Sequence, residues 1–281
     1  MRYLLYNPLS GKENQSLTAA KSYQAAANMP VKSVAITEID DLPAFFNGLD
    51  LYDDVMIFGG DGTLNKVANS LSDCFVRNDI YYFPCGTGND FVRDLDVIDA
   101  QEPIMINDYI KALPTVTVKE KQSKFINGVG FGIDGYCCEV GDQLKSQGKN
   151  PNYTAIAIKG LLFKFKPVNA TVVVDGKTYQ FKKVWIAPTM FGRFYGGGMM
   201  PTPNQNRNAT GKKVSLMVFH TSGKLKTLMI FPSIFKGEHV KNEKYVTILE
   251  GQNITVTFDR PSPLQIDGET VLDVTTYSVT I

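Results

Sequence analysis

Two runs of this sequence have the residue types of a phosphate site that also holds a metal ion. They are Gly59-Gly60-Asp61-Gly62-Thr63, with Asn65 close behind, and Gly86-Thr87-Gly88-Asn89-Asp90 two dozen residues on. Before the first run, Val55, Met56, Ile57 and Phe58 form an unbroken apolar stretch, the pattern of a parallel strand buried on both faces. After it, Leu64, Val67, Ala68 and Leu71 recur at helical spacing. The glycines therefore occupy a strand-to-helix turn, where free N–H groups and the positive end of a helix dipole can meet a phosphate. Glycine suits the position because a side chain would block the approach. A carboxylate in such a turn repels a bare phosphate, so Asp61 implies a cation between the two. Together these residues point to Mg-nucleotide chemistry.

Regular elements must hold those turns in place. Strands are predicted over 2–7, 31–37, 54–59 and 79–84, and helices over about 13–28, 64–72, 89–96 and 103–112. This alternation implies a parallel sheet covered by helices. Each of the four strands ends in a polar or glycine-rich loop: Asn7-Pro8-Leu9-Ser10-Gly11, Thr37-Glu38, and the two glycine runs. Ligands of open α/β sheets gather outside the carboxyl ends of the strands, so four such loops on one edge reinforce one another. After Leu113-Pro114 the pattern changes to strands over 115–119, 124–129, 170–174, 179–188, 214–219, 245–249 and 254–258. Asp175-Gly176 between alternating β-formers signals a hairpin. Helices are expected near 136–147, 152–165 and 223–235, the last ended or kinked by Pro232. The expected fold is an α/β N-terminal domain, 1–114, with a parallel sheet, followed by a β-rich antiparallel sandwich domain, 115–281.

Composition narrows the class. With 43% apolar and 20% charged residues the chain is an ordinary globular protein. No apolar run approaches the roughly 18–20 residues needed to cross a bilayer, and the N-terminus turns polar too soon for a signal peptide. Cys74, Cys85, Cys137 and Cys138 contain no C-x-x-C pair and read as a reduced set of a cytoplasmic protein. With only His220 and His239 present, a zinc site or a histidine-based triad is disfavoured. Charge is asymmetric: residues 1–100 carry 7 basic and 14 acidic groups, which leaves the remainder basic. A basic second half suits an anionic membrane or a phosphorylated partner, or else is a solvated lysine-rich exterior. The segment Tyr153 to Lys166 is read first as a core helix with snorkelling lysines, and second as a membrane contact.

Two patterns are discounted. Gly130-Phe131-Gly132-Ile133-Asp134-Gly135 matches G-x-G-x-x-G, but no acidic residue follows at the required distance. Gly176-Lys177-Thr178 resembles the tail of a Walker A loop but sits in the hairpin.

In order along the chain, six motifs resemble the diacylglycerol kinase catalytic-domain superfamily, which includes bacterial lipid kinases and the sphingosine and ceramide kinases. They are Asn7-Pro8-Leu9-Ser10-Gly11, Gly59 to Thr63, Gly86 to Phe91, Asn127 to Asp134, Gly196-Gly197-Gly198-Met199 and Asp267-Gly268-Glu269. The resemblance spans nearly the whole chain and implies ATP in a cleft between two domains, with a lipid hydroxyl as acceptor. It implies that Asn7, Pro8, Ser10, Gly11, Thr37, Gly59, Gly60, Asp61, Gly62, Thr63, Asn65, Thr87 and Asn89 line the nucleotide. Asp61 and Asp90 would hold Mg2+, partly through water. Asp267 and Glu269 would act from the second domain, one as general base and one near the metal. On the residues alone, Asp267-Gly268-Glu269 is a turn between strands; in an extended segment both carboxylates would share a face.

Asp134 is read as a turn or cap residue, with a lipid head-group contact as the alternative. Two features depart from the family pattern. Ala209 to Ser215 lacks the aspartate that relatives use for a second, structural metal. The 12 residues after Glu269 leave little for the helical tail that relatives carry.

The function expected is an ATP- and Mg-dependent lipid kinase, cytoplasmic, touching the membrane peripherally at its lipid substrate. A homodimer is left open, and a nucleic-acid partner is not expected. An NAD kinase-like enzyme and a nucleotide- or lipid-binding protein without turnover are the alternatives.

Overall fold

The computed structural model describes residues 1–11, 14–96 and 102–281, which divide into two compact units, Met1–Leu113 and Pro114–Ile281. Among them, no helix is long and apolar enough to cross a membrane. All four cysteines are free thiols.

The N-terminal unit contains a five-stranded sheet in the order β2-β1-β3-β4-β5. Strands β1 (Arg2–Tyr6), β2 (Val31–Ala35), β3 (Asp54–Gly59) and β4 (Asp79–Pro84) are parallel, whereas the two-residue β5 (Ile104–Met105) joins the edge antiparallel. The expected parallel sheet is therefore mixed at one edge. In β3, Val55 to Phe58 are fully buried, which explains the unbroken apolar run of a central strand. Helices α1 (Gln15–Ala26), α2 (Leu42–Asn47), α3 (Asp61–Ser70), α4 (Asp90–Asp94) and α5 (Asn107–Lys111) complete the unit. The predicted start of the first helix, residue 13, lies outside the described residues. Helix α2 was not expected; Asp41 caps it by accepting the Ala44 N–H (2.9 Å). The helix predicted over 103–112 is shorter, because β5 takes its first residues into the sheet.

The C-terminal unit is antiparallel throughout, in the order β13-β12-β11-β8-β14-β15-β6-β7, with β9 joining β10 to β14. Its strands are β6 (Thr115–Val118), β7 (Lys121–Lys124), β8 (Gly128–Gly132), β9 (Val168–Val174), β10 (Lys177–Val184) and β11 (Ile186–Met190). They continue as β12 (Val214–Phe219), β13 (Val246–Gly251), β14 (Asn253–Ile266) and β15 (Glu269–Thr280). The register of β14 against β15 shifts between Thr257 and Ser262, where Pro261 interrupts the ladder. On one side of this bend β14 pairs with β9, and on the other with β8. Long strands that change partners at a bulge make the corner of a sandwich. Phe131 stacks on Phe258 (4.4 Å) and meets Tyr277 edge-on (5.2 Å) in its core.

Two expectations are corrected here. The strand predicted over 124–129 is two strands with a turn between them, β7 and β8. The segment 179–188 is likewise broken, at Trp185, into β10 and β11. Glu269–Thr280 form the 12-residue strand β15, which pairs with both β14 and β6.

Helix α6 (Ile133–Ser146) leads to α7 (Tyr153–Lys159), which continues as one π-helical turn over Gly160–Lys164. Helix α8 (Lys224–Ile230) runs into a 3-10 turn over Phe231–Lys236, so Pro232 changes the helix type rather than ending the element.

Candidate functional site

The loops after β1, β3 and β4 are interlocked at the carboxyl edge of the N-terminal sheet. Asn7 donates from Nδ2 to Thr63 Oγ1 (2.8 Å), tying the first loop to α3. Ser10 Oγ accepts the Gly60 N–H (2.8 Å), and Ser16 Oγ donates to the Asn7 carbonyl (2.5 Å). Pro8 lies inside the turn closed by the Ser10 N–H on the Asn7 carbonyl (2.9 Å). Gly59 faces inward: its carbonyl accepts from the Cys85 N–H (2.7 Å) and from Tyr82 Oη (3.0 Å).

Two contacts explain why this region is rich in glycine. A Cβ on Gly86 would lie 2.6 Å from Gly60 Cα, so both backbones must lack side chains to approach this closely. Gly11 has φ +78°, and a Cβ there would lie 2.7 Å from the Cys85 carbonyl oxygen.

Gly62 is different. It stands in the first turn of α3, its φ is not positive, and a Cβ on it would meet nothing within 4 Å. Neither conformation nor packing requires glycine at this point. What the missing side chain leaves is open space over a helix N-terminus, the approach an anion needs.

Asp61 does not cap its own helix. Its carboxylate accepts the N–H groups of Asp90 (3.1 Å) and Phe91 (2.9 Å), fixing the start of α4 against α3. Asn89, just before α4, sits in the left-handed region (φ 49°) and its Oδ1 accepts the Gly86 N–H (3.0 Å). Asp90 is buried at the first position of α4. Thr37 follows β2 and lines a cavity of about 230 Å³ together with Asn7, Thr63 and Lys66. A larger depression of about 320 Å³ at the end of α1 offers only Tyr23 and small or apolar neighbours, and is no candidate. Thr87 is exposed in the β4–α4 loop, and Asn65 accepts from Asn69 one turn along α3 (3.1 Å). No cluster of three metal-ligating side chains occurs among the described residues.

In the C-terminal unit, Asp267-Gly268 is a two-residue hairpin turn between the paired residues Ile266 and Glu269, with φ values of 46° and 93°. These residues form a turn between strands, not an extended segment, so the two carboxylates do not share a strand face. Asp267 turns back and accepts N–H groups from Ile126 (2.5 Å), Asn127 (2.8 Å) and Gly128 (2.9 Å). Glu269, by contrast, is exposed at the first position of β15. One carboxylate is committed to the backbone while the other faces solvent.

Behind this turn lies a polar cluster that sequence reading missed. Gln265 Oε1 accepts the Gly268 N–H (2.9 Å), and Gln265 neighbours Gly130 in the β14–β8 ladder. Asp134 stands over Gly130, where a Cβ would collide with its Oδ2. It is buried, neither a surface turn residue nor an exposed cap, and burial pushes its carboxyl up to about 7 against the pull of nearby donors. Tyr195 Oη and Gln265 Nε2 also approach it, yet neither they nor Asp134 Oδ2 closes a hydrogen bond. The available signal was a lone glutamine between Leu264 and Ile266 in an apolar strand. The glycines of the discounted G-x-G-x-x-G run serve packing: a Cβ on Gly132 would strike the Trp185 carbonyl, and one on Gly135 the Pro263 carbonyl.

The diacylglycerol kinase catalytic domain matches residues 2–121, and the YegS C-terminal NAD kinase beta sandwich-like domain matches residues 127–279. The chain belongs to the diacylglycerol kinase-like family. A diacylglycerol kinase of Bacillus subtilis (strain 168) is 26% identical over 278 residues, covering 95% of this chain and 88% of its own. One from Mycobacterium tuberculosis (strain H37Rv) is 24% identical over 261 residues, covering 86% and 81%. The crystal structure of a diacylglycerol kinase from Bacillus anthracis str. Sterne superposes with a TM-score of 0.62 at 19% identity, covering 99% of this chain and 92% of its own. That likeness shows the fold, an N-terminal α/β unit and a C-terminal β sandwich. Membership in a lipid-kinase family makes a kinase-type enzyme of this chain and implies use of a nucleotide.

Proposed function

We propose that this member of the family transfers the γ-phosphate of ATP, with Mg2+, to the hydroxyl of diacylglycerol or a similar lipid. The observation that carries the reading is the interlocked β1, β3 and β4 loops around Gly62, whose absent side chain opens the α3 N-terminus to a phosphate. Asn7, Ser10, Thr37 and Thr63 would line the nucleotide around it. Asp61 and Asp90 would hold a hydrated magnesium ion, which takes one or two carboxylates with phosphate oxygens and water. When bound, that ion supplies charge neutralisation for the transferring phosphoryl group.

An aliphatic hydroxyl is a weak nucleophile, so a carboxylate must receive its proton. Glu269 is the better candidate, because its carboxylate is exposed whereas that of Asp267 already accepts three backbone N–H groups. Asp267 would then act by holding residues 126–128 and the turn that presents Glu269. The reading is tested by incubating purified protein with γ-labelled ATP and a panel of lipid micelles. Label transferred to a glycerolipid supports it. Label found only on NAD, or ATP bound with no acceptor labelled, overturns it.

A further inference from the structure

The π-helical turn after α7 and the helix α8 lie side by side, and Lys224 Nζ donates to the Leu162 carbonyl (2.8 Å). Their inner faces share one hydrophobic cluster that contains Leu161, Phe165, Ile230 and Ile234. These residues account for the helical pattern read from the sequence as a core helix. The outer faces are also apolar, which a core role does not explain. Phe163, Leu225 and Met229 are 74%, 76% and 74% exposed, and Phe235 is 45% exposed beyond them. A monomeric protein rarely leaves so many large apolar side chains in solvent on adjoining elements without a use for them.

The charges on these two elements are of one sign. Lys164 and Lys226 are exposed on them, and Lys159, Lys166 and Lys236 are exposed on the segments directly before and after. From Gln143 to Gly237 the chain carries 15 lysines and arginines and a single acidic residue, Asp175. Lysine is depleted at protein–protein interfaces, which argues against a protein partner. Aromatic and long aliphatic side chains interleaved with lysine, on two elements that carry no carboxylate of their own, instead suit the head-group region of an anionic bilayer. We propose that the outer face of the 160–164 turn and α8 seats the protein on anionic lipid bilayers, with Phe163, Leu225 and Met229 entering the interface and the lysines meeting lipid phosphates. This inference rests on the lipid-acceptor reading for its purpose, since such an acceptor resides in a membrane, but its test does not depend on catalysis.

The full chain is to be sedimented with vesicles of phosphatidylcholine alone, or of phosphatidylcholine mixed with phosphatidylglycerol, at low and high salt. Binding is expected to the anionic vesicles, to be weak on neutral ones, and to fall with salt. The pair Phe163→Ser and Met229→Ser is expected to lower the partition coefficient by at least about ten-fold. Each of Lys164→Glu and Lys236→Glu should lower it roughly five-fold or more. Phe75→Ser, at a phenylalanine 86% exposed in the N-terminal unit, should leave it unchanged. Unaltered thermal unfolding shows that the variants remain folded. Wild-type protein that ignores anionic vesicles, or face variants that bind as well as wild type, overturn the proposal. Phosphorylation of a dispersed short-chain diacylglycerol separates the two readings. If that proceeds without vesicle binding, the docking face alone fails. If vesicles are bound through this face but no lipid is ever phosphorylated, the kinase reading alone fails.

Discussion

Asp267 and Glu269 are two residues apart, yet they are placed for different work. Asp267 satisfies three backbone donors at the entrance to β8, and replacing one of its oxygens by an amide leaves an N–H facing a donor. Asp267→Asn should therefore cost about 1–3 kcal/mol of stability along with activity. Glu269→Gln, at an exposed position, should change stability by less than about 0.5 kcal/mol while lowering kcat by about 10²–10⁴-fold. Urea unfolding and steady-state kinetics on both variants check this. A stable, inactive Asp267→Asn beside an active Glu269→Gln would reverse the assignment. Asp134 supplies a second expectation at this scale. Its carboxyl is raised from 3.8 to about 7, mainly by burial, so the folded chain holds a proton that the unfolded chain has released. The stability this gives is complete below pH about 4 and is lost as pH rises through about 7. Asp134→Asn removes that dependence, so the variant should gain on wild type by a few kcal/mol, to order of magnitude, between about pH 4 and pH 8. Parallel stability–pH curves for the two proteins would contradict it.

Among the elements, the glycines divide by task. Gly62→Ala introduces a methyl group into open space in a helical turn, so it should leave stability unchanged or raise it by up to about 1 kcal/mol. It should nevertheless raise the KM for ATP, because the methyl group occupies the approach to the α3 N-terminus. Gly86→Ala should do the opposite in its folding effect, destabilising by about 1–3 kcal/mol as its Cβ is driven against Gly60. Thermal unfolding and ATP titration of the pair distinguish the roles; a Gly62→Ala protein that binds ATP as wild type does would remove the main support for the phosphate site. Much of this architecture was legible because it is local. The apolar run of β3, the spacing of α3 and the turn between them need only neighbouring residues. Strand β8 was hidden because Gly128, Gly130 and Gly132 are there to admit Met190, Asp134 and the Trp185 carbonyl, contacts distant in sequence. The Asp-Gly signal at 267–268 is the same as that at 175–176, and both close two-residue hairpins. At 267–268 those two residues are the turn itself, so Asp267 and Glu269 do not share a strand face. Tyr195 was unreadable, and Gln265 showed only as a polar residue in an apolar strand, because what draws them together is a shared neighbour, Asp134.

At the scale of the whole chain, each unit carries its own sheet. The five-stranded sheet uses strands of residues 1–113 only, and the larger sheet strands of residues 114–281 only. Each also has its own buried cluster, one including Leu4, Met56 and Phe58 and the other Trp185, Met217 and Phe219. With separate ladders and separate cores, cooperativity need not extend over the chain, and a single two-state transition is not required. A ligand stabilises the structure that binds it by an amount set by its concentration over Kd, about 2.7 kcal/mol at a hundred-fold excess. Since the loops that would line ATP belong to the first sheet, MgATP at that excess should raise the unfolding transition of the N-terminal unit by roughly 10–20 °C, at about 4–8 °C per kcal/mol for a domain of about 100 residues. Hydrogen exchange by mass spectrometry resolves where the protection falls. Slowed exchange is expected at residues 7–11, 59–70 and 85–94, with the hairpin of β9 and β10 unchanged. Protection of that hairpin to the same degree would mean that the two sheets unfold as one body. Protection absent from the first three segments would mean that the nucleotide binds elsewhere.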